Sequence, residues 1–366
     1  MRTLLLFTTL LLLAGCCNLP EKKAKPVEPV AVSWSDLPGW SREDHLGAFR
    51  AFLAECHALK GNWVDVCRNA SQLSDPDAKS ARRFFEDNFR PYRLLNADGS
   101  GEGLITGYYE PVIQASLHPS ALYRYPVYGT PKDLVTVDLA GVYPQLAHLN
   151  LKGRVVGNRL IPYYSRSVIE GPTSPLAGNE ILWTDDPMAL FLLQVQGSGK
   201  ARLDDGNTVR LAYDNQNGLP YQSIGRILVK EGELDLQDAT MQGILDWGRR
   251  NPDKVRALLD RNPSYVFFRM LADSGEGPAG SLGVPLSAGR SLAVDLRAIP
   301  LGAPVYLSTE LPDSRPFERL MLAQDTGGAI RGKVRADIYW GAGSAAGKIA
   351  GITRQRGRMW ILLPAR

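Results

Sequence analysis

The sequence predicts an α+β, β-rich fold on three observations. Apolar residues recur at helical spacing near the N-terminal end, at Leu46, Phe49, Phe52, Leu53 and Cys56. From residue 104 to about 161 that pattern gives way to short strands broken by Pro and Gly. Beyond a Gly/Ser/Pro-rich linker at 274–283, five apolar segments follow one another with turn residues between them.

Residues 1–15 hold one early charge, Arg2, then the apolar run 4–13 and the tetrad Leu13-Ala14-Gly15-Cys16, which reads as a signal peptide ending at a lipidation site. Cys16 is then the mature N-terminus, diacylated and N-acylated. The apolar run is far shorter than the roughly 20 residues a bilayer span requires, whereas several acyl chains anchor stably where one is marginal. Cys17 stands where an aspartate would retain a lipoprotein in the inner membrane, so by resemblance to lipoprotein sorting the expected location is the periplasmic face of an outer membrane. Residues 16–33, with Pro20, Pro26 and Pro29, read as a flexible tether.

The remaining elements follow in order. Ser41-Arg-Glu-Asp44 has the form of a capping box, with Asp in the Glu position, opening the first helix. A second helix is expected over 78–89. Helices return at 236–247 and at 252–259, where Pro252 suits a first turn. The final strands are expected at 292–296, 305–308, 320–324, 336–340 and 360–363. No internal repeat is present.

Composition narrows the function. The charge balance, 42 basic against 38 acidic residues, gives +4, and +3 once Arg2 leaves with the signal peptide. The basic residues are scattered, which argues against a nucleic-acid partner. Cys56 and Cys67 are candidates for a disulfide in an oxidising compartment, two small buried hydrophobes being the alternative. His45, His57, His118 and His148 offer no metal-binding spacing, so neither a metal nor a cofactor is expected. No serine lies in a nucleophile elbow, and Gly197-Ser-Gly-Lys200 lacks the spacing of a P-loop.

The chemistry concentrates near the C-terminal end. Asp295, Asp325 and Asp337 each stand beside a turn on a strand-like segment, the last two within Ala323-Gln-Asp325-Thr-Gly-Gly-Ala-Ile330 and Arg335-Ala-Asp337-Ile-Tyr-Trp-Gly341. Leu193-Gln194-Val-Gln196-Gly-Ser198-Gly199 reads as an apolar strand ending in amides and a hydroxyl. Asn217-Gly-Leu-Pro-Tyr221-Gln222-Ser223 offers a second polar turn. Amides, hydroxyls and tyrosine faces suit carbohydrate, although plain turns explain either segment alone.

Taken together, Thr106-Gly-Tyr-Tyr-Glu-Pro111, Tyr164-Ser-Arg166, Gln196-Gly-Ser-Gly199, Asn217-Gly218 with Tyr221 and Ser223-Ile-Gly225, Asn262-Pro-Ser-Tyr265 with Phe267-Phe268, and the three aspartate segments resemble the membrane-bound lytic murein transglycosylase A family, with its C-terminal three-aspartate domain. The resemblance implies a double-psi β-barrel from 34–109 and 275–366. It also implies a smaller β domain with a helical segment inserted over 110–274, and a substrate groove between the two. It implies Asp337 as catalytic acid/base, Asp325 and Asp295 as its companions, and Thr106, Tyr108, Gln196 and Ser198 as substrate-binding residues. The partners implied are peptidoglycan glycan strands and, through the anchor, a membrane; association with murein synthases is left open. Glu110 and the Cys56/Cys67 pair depart from the family pattern.

The implied reaction is cleavage of the MurNAc-β-1,4-GlcNAc bond with formation of 1,6-anhydroMurNAc. Glycosidases ordinarily need two carboxyl groups, but a muramyl C6 hydroxyl serves as an internal nucleophile and one acid/base suffices. Three alternatives stand beside this reading. A non-catalytic peptidoglycan-binding lipoprotein is one. A hydrolytic muramidase with Glu110 as second carboxylate is another. The third is an aspartic-protease-like pair of Asp325-Thr-Gly and Asp273-Ser-Gly, although Asp273 lies in the linker and not on a strand.

Overall fold

The computed structural model describes residues 28–365 apart from 147, 148 and 150. The expected signal peptide, Cys16, Cys17 and His148 lie outside the described residues.

Strand β1 (Val30–Ala31), at the end of the segment expected as a tether, pairs with β2 (Phe89–Arg93). Between them run α1 (His45–Glu55), α2 (Val64–Ser71) and α3 (Ala78–Asn88). Phe49, Phe52, Phe84, Phe85 and Phe89 pack among themselves and, with Trp40, against one side of the C-terminal sheet. The first helix starts later than the capping box predicts. Trp40 is buried in a 3₁₀ turn, Trp40–Arg42, and Asp44 itself is the N-cap, accepting 2.9 Å from Gly47 N. Cys56, just beyond α1, is joined to Cys67 of α2 by a disulfide.

Strand β3 (Gly103–Glu110) leads into the second sheet. That sheet is built from β4 (Val112–Ser116), β5 (Tyr125–Tyr128), β9 (Glu180–Thr184), β10 (Gly199–Leu203), β11 (Thr208–Gln216) and β12 (Val266–Ala272), in the order β12-β11-β10-β4-β9-β5. A separate three-stranded sheet is formed by β6 (Val135–Thr136), β7 (Lys152–Val156) and β8 (Arg159–Pro162). The helices here are α4 (Arg166–Ile169), α5 (Pro187–Gln196), α6 (Ile224–Lys230), α7 (Met241–Arg250) and α8 (Pro252–Leu259).

The segment before Gly197, expected as a strand, is the end of α5. Asp186 caps that helix, Pro187 occupies its first turn, and Gly197 closes it at φ 83°, a left-handed conformation that glycine adopts freely. Both faces of α5 are covered: Leu190 and Leu193 face the second sheet, while Met188, Phe191 and Leu192 face α6 to α8. A helix apolar all round has no 3.6-residue period to read, which is why it resembles a buried strand.

After the linker come β13 (Ser291–Val294), β14 (Pro304–Glu310), β15 (Pro316–Thr326), β16 (Arg335–Ala342), α9 (Gly343–Ile352) and β17 (Arg354–Pro364). They form one sheet with β3, ordered β17-β14-β15-β13-β16-β3, and β17 also pairs with β3, so six strands close into a barrel. Strand alternation sorts the side chains. Val305, Leu307, Met321, Ala323, Ala336, Ile338, Met359 and Ile361 fill one core, while Tyr306, Leu320, Leu322, Trp360 and Leu362 meet α1 to α3. The β-rich α+β class and a barrel with a second β domain are therefore as expected.

Candidate active site

The barrel register sets four side-chain positions beside one another. Asp325 of β15 is paired with Ala293 of β13, Ala293 with Asp337 of β16, and Asp337 with Thr106 of β3. Ile105, Ala336 and Ile338 point into the core, so alternation turns Thr106 and Asp337 to the opposite face. Strands lie about 4.8 Å apart, which puts the two aspartate backbones roughly 10 Å from each other across Ala293.

Asp337 is half-buried and accepts a 2.6 Å hydrogen bond from the Thr106 hydroxyl. Burial pushes its carboxyl above the ordinary aspartate value and the Asp325 charge adds to this, while Thr106 and Arg335 oppose. Asp325 accepts from the Tyr108 hydroxyl at 2.9 Å and from the backbone N–H and hydroxyl of Ser281 at 3.0 and 2.8 Å. The Tyr108 phenol is held well above its usual range, first by burial and then by the Asp325 charge. Its ring lies against Tyr339, centroids 5.3 Å apart. Strand β3 comes close beneath α9: a Cβ on Gly107 would stand 2.5 Å from Trp340 Nε1 and 3.0 Å from Ala350 Cα, so glycine is required there.

Asp295 is differently engaged. It receives Arg297 Nε and Nη2 at 2.9 and 2.6 Å and the Gly332 N–H at 2.8 Å, and chiefly the Arg297 bonds hold its carboxyl far below the usual carboxylate range. It thereby ties the end of β13 to the loop before β16. Gln196, at the end of α5, accepts a hydrogen bond from Tyr109 N at 3.0 Å, and Ser198 is half-buried in the bend that follows. The second domain thus touches β3 one residue from Tyr108.

Two other candidates are occupied structurally. Glu110 is buried against Arg210, 2.8 Å away, and Asp273 is paired with Lys200 at 2.7 Å and Arg210 at 3.3 Å. Held by cations, neither is placed to act as a second carboxyl at Asp337 or as a proton-sharing partner of Asp325. Asn217 is fully buried, donating to the carbonyls of Tyr164 and Pro263 and accepting from Tyr265 N, so its turn is a structural tie. Ser281 escaped the sequence reading because a serine in a Gly/Pro linker carries no periodic pattern.

Residues 104–269 match the MltA specific insert domain and residues 290–363 match the 3D domain. The chain is 31% identical over 381 residues to the membrane-bound lytic murein transglycosylase A of Escherichia coli strain K12, covering 99% of this chain and 95% of that protein. Among solved structures it resembles MltA from Neisseria gonorrhoeae, with a TM-score of 0.79 at 36% identity over 91% of this chain and 92% of the other. It also resembles E. coli MltA with bound chitohexaose, with a TM-score of 0.66 at 28% identity over 93% and 92%. A barrel that carries its aspartate row beside an inserted β domain, and a sequence relationship running nearly end to end, lead to one conclusion: the chain belongs to the membrane-bound lytic murein transglycosylase A family.

Proposed function

We infer that the protein is a peptidoglycan lytic transglycosylase that cleaves the MurNAc-β-1,4-GlcNAc bond with Asp337 as the single acid/base. The observation that carries this reading is the placement of Asp337. It is a half-buried carboxyl biased toward its protonated form, in register with Thr106 and one small residue away from Asp325. Family membership and the chitohexaose held by the E. coli relative support a glycan in the groove.

In this mechanism protonated Asp337 gives its proton to the departing glycosidic oxygen. The resulting carboxylate takes the proton of the muramyl C6 hydroxyl as that oxygen closes onto C1, giving the 1,6-anhydro ring. The nucleophile already belongs to the sugar, so its effective concentration is high and no water needs activating. Asp325, held by Tyr108 and Ser281, disfavours a second negative charge and keeps Asp337 in the acid form. Thr106 steadies Asp337 after it has lost its proton. Asp295, Gln196 and Ser198 complete the assignment, Asp295 by fixing the loop before β16 and the other two by facing the glycan from the inserted domain.

The same reading divides the chain into a barrel of 34–109 and 275–366 and an insert of 110–274, in keeping with the membership of the two larger sheets. It places the protein on the periplasmic face of the outer membrane through lipidated Cys16. In the Cys16→Ala form the protein should no longer fractionate as a mature membrane lipoprotein; an unchanged mature membrane fraction counts against the anchor.

Mass spectrometry of products from purified sacculi tests the activity. Anhydro muropeptides, one water lighter than hydrolysis products, are expected. Reducing-end muropeptides as the main product would replace the reading with a muramidase, and binding without release would replace it with a non-catalytic lipoprotein.

A further inference from the structure

The chain crosses between the barrel and the inserted sheet twice, at Glu110-Pro111 between β3 and β4, and at residues 273–277 after β12. Each crossing carries a carboxylate, and one guanidinium holds both. Arg210 of β11 places Nη1 2.8 Å from Glu110 Oε1 and Nη2 3.3 Å from Asp273 Oδ1, and Nη2 also donates to the Glu276 carbonyl. Lys200 of β10 completes the cluster, with Nζ 2.7 Å from Asp273 Oδ2 and its backbone N–H 2.8 Å from the Pro111 carbonyl. Glu110 is 1% exposed and Arg210 5%.

Strand alternation gives this cluster its significance. Thr106, Tyr108 and Glu110 occupy alternate positions of β3. The first holds Asp337, the second holds Asp325, and the third is held by the inserted sheet through Arg210. Replacing a buried ion pair by apolar residues of similar volume is often neutral or stabilising, and the better-attested use of such a pair is to specify one arrangement among several. The Arg210 fork selects the arrangement in which both crossings meet at one point.

The geometry points to Arg210 as a positioning residue of the reaction, fixing the inserted sheet against the strand that carries Thr106 and Tyr108 and so setting the width of the groove that receives the glycan. This rests on the lytic transglycosylase reading above. A polysaccharide needs contacts from both walls at once, so a groove free to change width loses affinity for long chains before it loses the acid/base step.

The test uses two variants of the full chain. Arg210→Lys keeps the charge and loses the two-pronged geometry, while Arg210→Met combined with Glu110→Gln leaves neither buried partner charged. Nitroxide pairs at exposed Leu117 of the insert and Glu310 of the barrel, in a Cys17→Ser background, report the interdomain distance. Both variants should broaden the distance distribution. KM for soluble glycan chains should rise at least about tenfold while kcat changes less. Unchanged distributions and unchanged KM in Arg210→Lys overturn the proposal, as does a loss confined to the folded fraction with normal KM in what remains folded. The distance measurement needs no turnover, so a wild-type protein that forms no anhydro product would defeat the functional reading while leaving this arm able to decide on Arg210.

Discussion

Asp325 and Asp337 stand in one row across three adjacent strands, with Ala293 between them. The row makes the two carboxyls neighbours without making them partners: each has its own hydroxyl donor from β3, Tyr108 for the first and Thr106 for the second. Asp337→Asn keeps the shape of that row but cannot deliver a proton. Turnover of sacculi should fall by roughly 100-fold to 10,000-fold, the range lost with a general acid, while the thermal midpoint stays near that of the wild type. Near-normal release of muropeptides by Asp337→Asn would remove Asp337 from its role.

The two polar neighbours of Asp337, the Thr106 hydroxyl and the Asp325 carboxylate, predict pH shifts of opposite sign. The Thr106 bond lowers the Asp337 pKa and the Asp325 charge raises it. An acid that must be protonated loses activity as pH rises through its pKa. Thr106→Val should therefore move the alkaline limb of the kcat profile to higher pH, and Asp325→Asn should move it to lower pH. Measured profiles that shift in the same direction would contradict the arrangement.

Glu55, at the end of α1, is fully buried, and one of its oxygens accepts from Gln324 Nε2 at 2.8 Å, next to Asp325 in the chain. Burial holds its carboxyl well above the ordinary value of 4.5, with the Gln324 bond opposing. A raised folded pKa means stability that is fully present below about 4.5 and is lost as pH rises toward the folded pKa, since the unfolded chain gives up its proton first. Glu55→Gln removes that loss. Its thermal midpoint should exceed the wild type at pH 7, by roughly 2–4 °C per kcal/mol recovered, and the gap should close as melts are repeated toward pH 4.

The Cys56–Cys67 bridge closes a short loop, the two residues being 11 apart in sequence. Cross-linking a loop of that size stabilises by about 2–4 kcal/mol, chiefly through the unfolded chain. Replacing both cysteines by serine should lower the denaturation free energy by that amount and leave turnover at 25 °C close to wild type. Urea melts with parallel assays decide it.

The C-terminal strands were legible because the barrel wall alternates: Ala336, Ile338 and the residues between them announce a strand with one face in a core, and the aspartates interrupt that pattern. Helix α8 was legible to its ends because Pro252 marks its start. Helix α5 was not, being apolar on every side, and Gln196 was consequently placed on a strand. Thr106 and Tyr108 were reached only through family resemblance, since nothing local in β3 announces partners more than two hundred residues later. Arg210 went unnoticed for the same reason: an arginine on an alternating strand looks like a solvated side chain until its two acids are brought to it.

Closing the barrel through β3 has a consequence for how the molecule is made. Thr106 is 231 residues from Asp337 along the chain, and β3 finds its remaining barrel partner only in β17, the final strand. Contacts this distant are the slowest to form, because the intervening chain must be ordered first. An N-terminal fragment ending before β16 lacks Asp337, and one ending before β17 leaves β3 without its second barrel neighbour. The topology therefore makes the aspartate row one of the last parts of the fold to be completed.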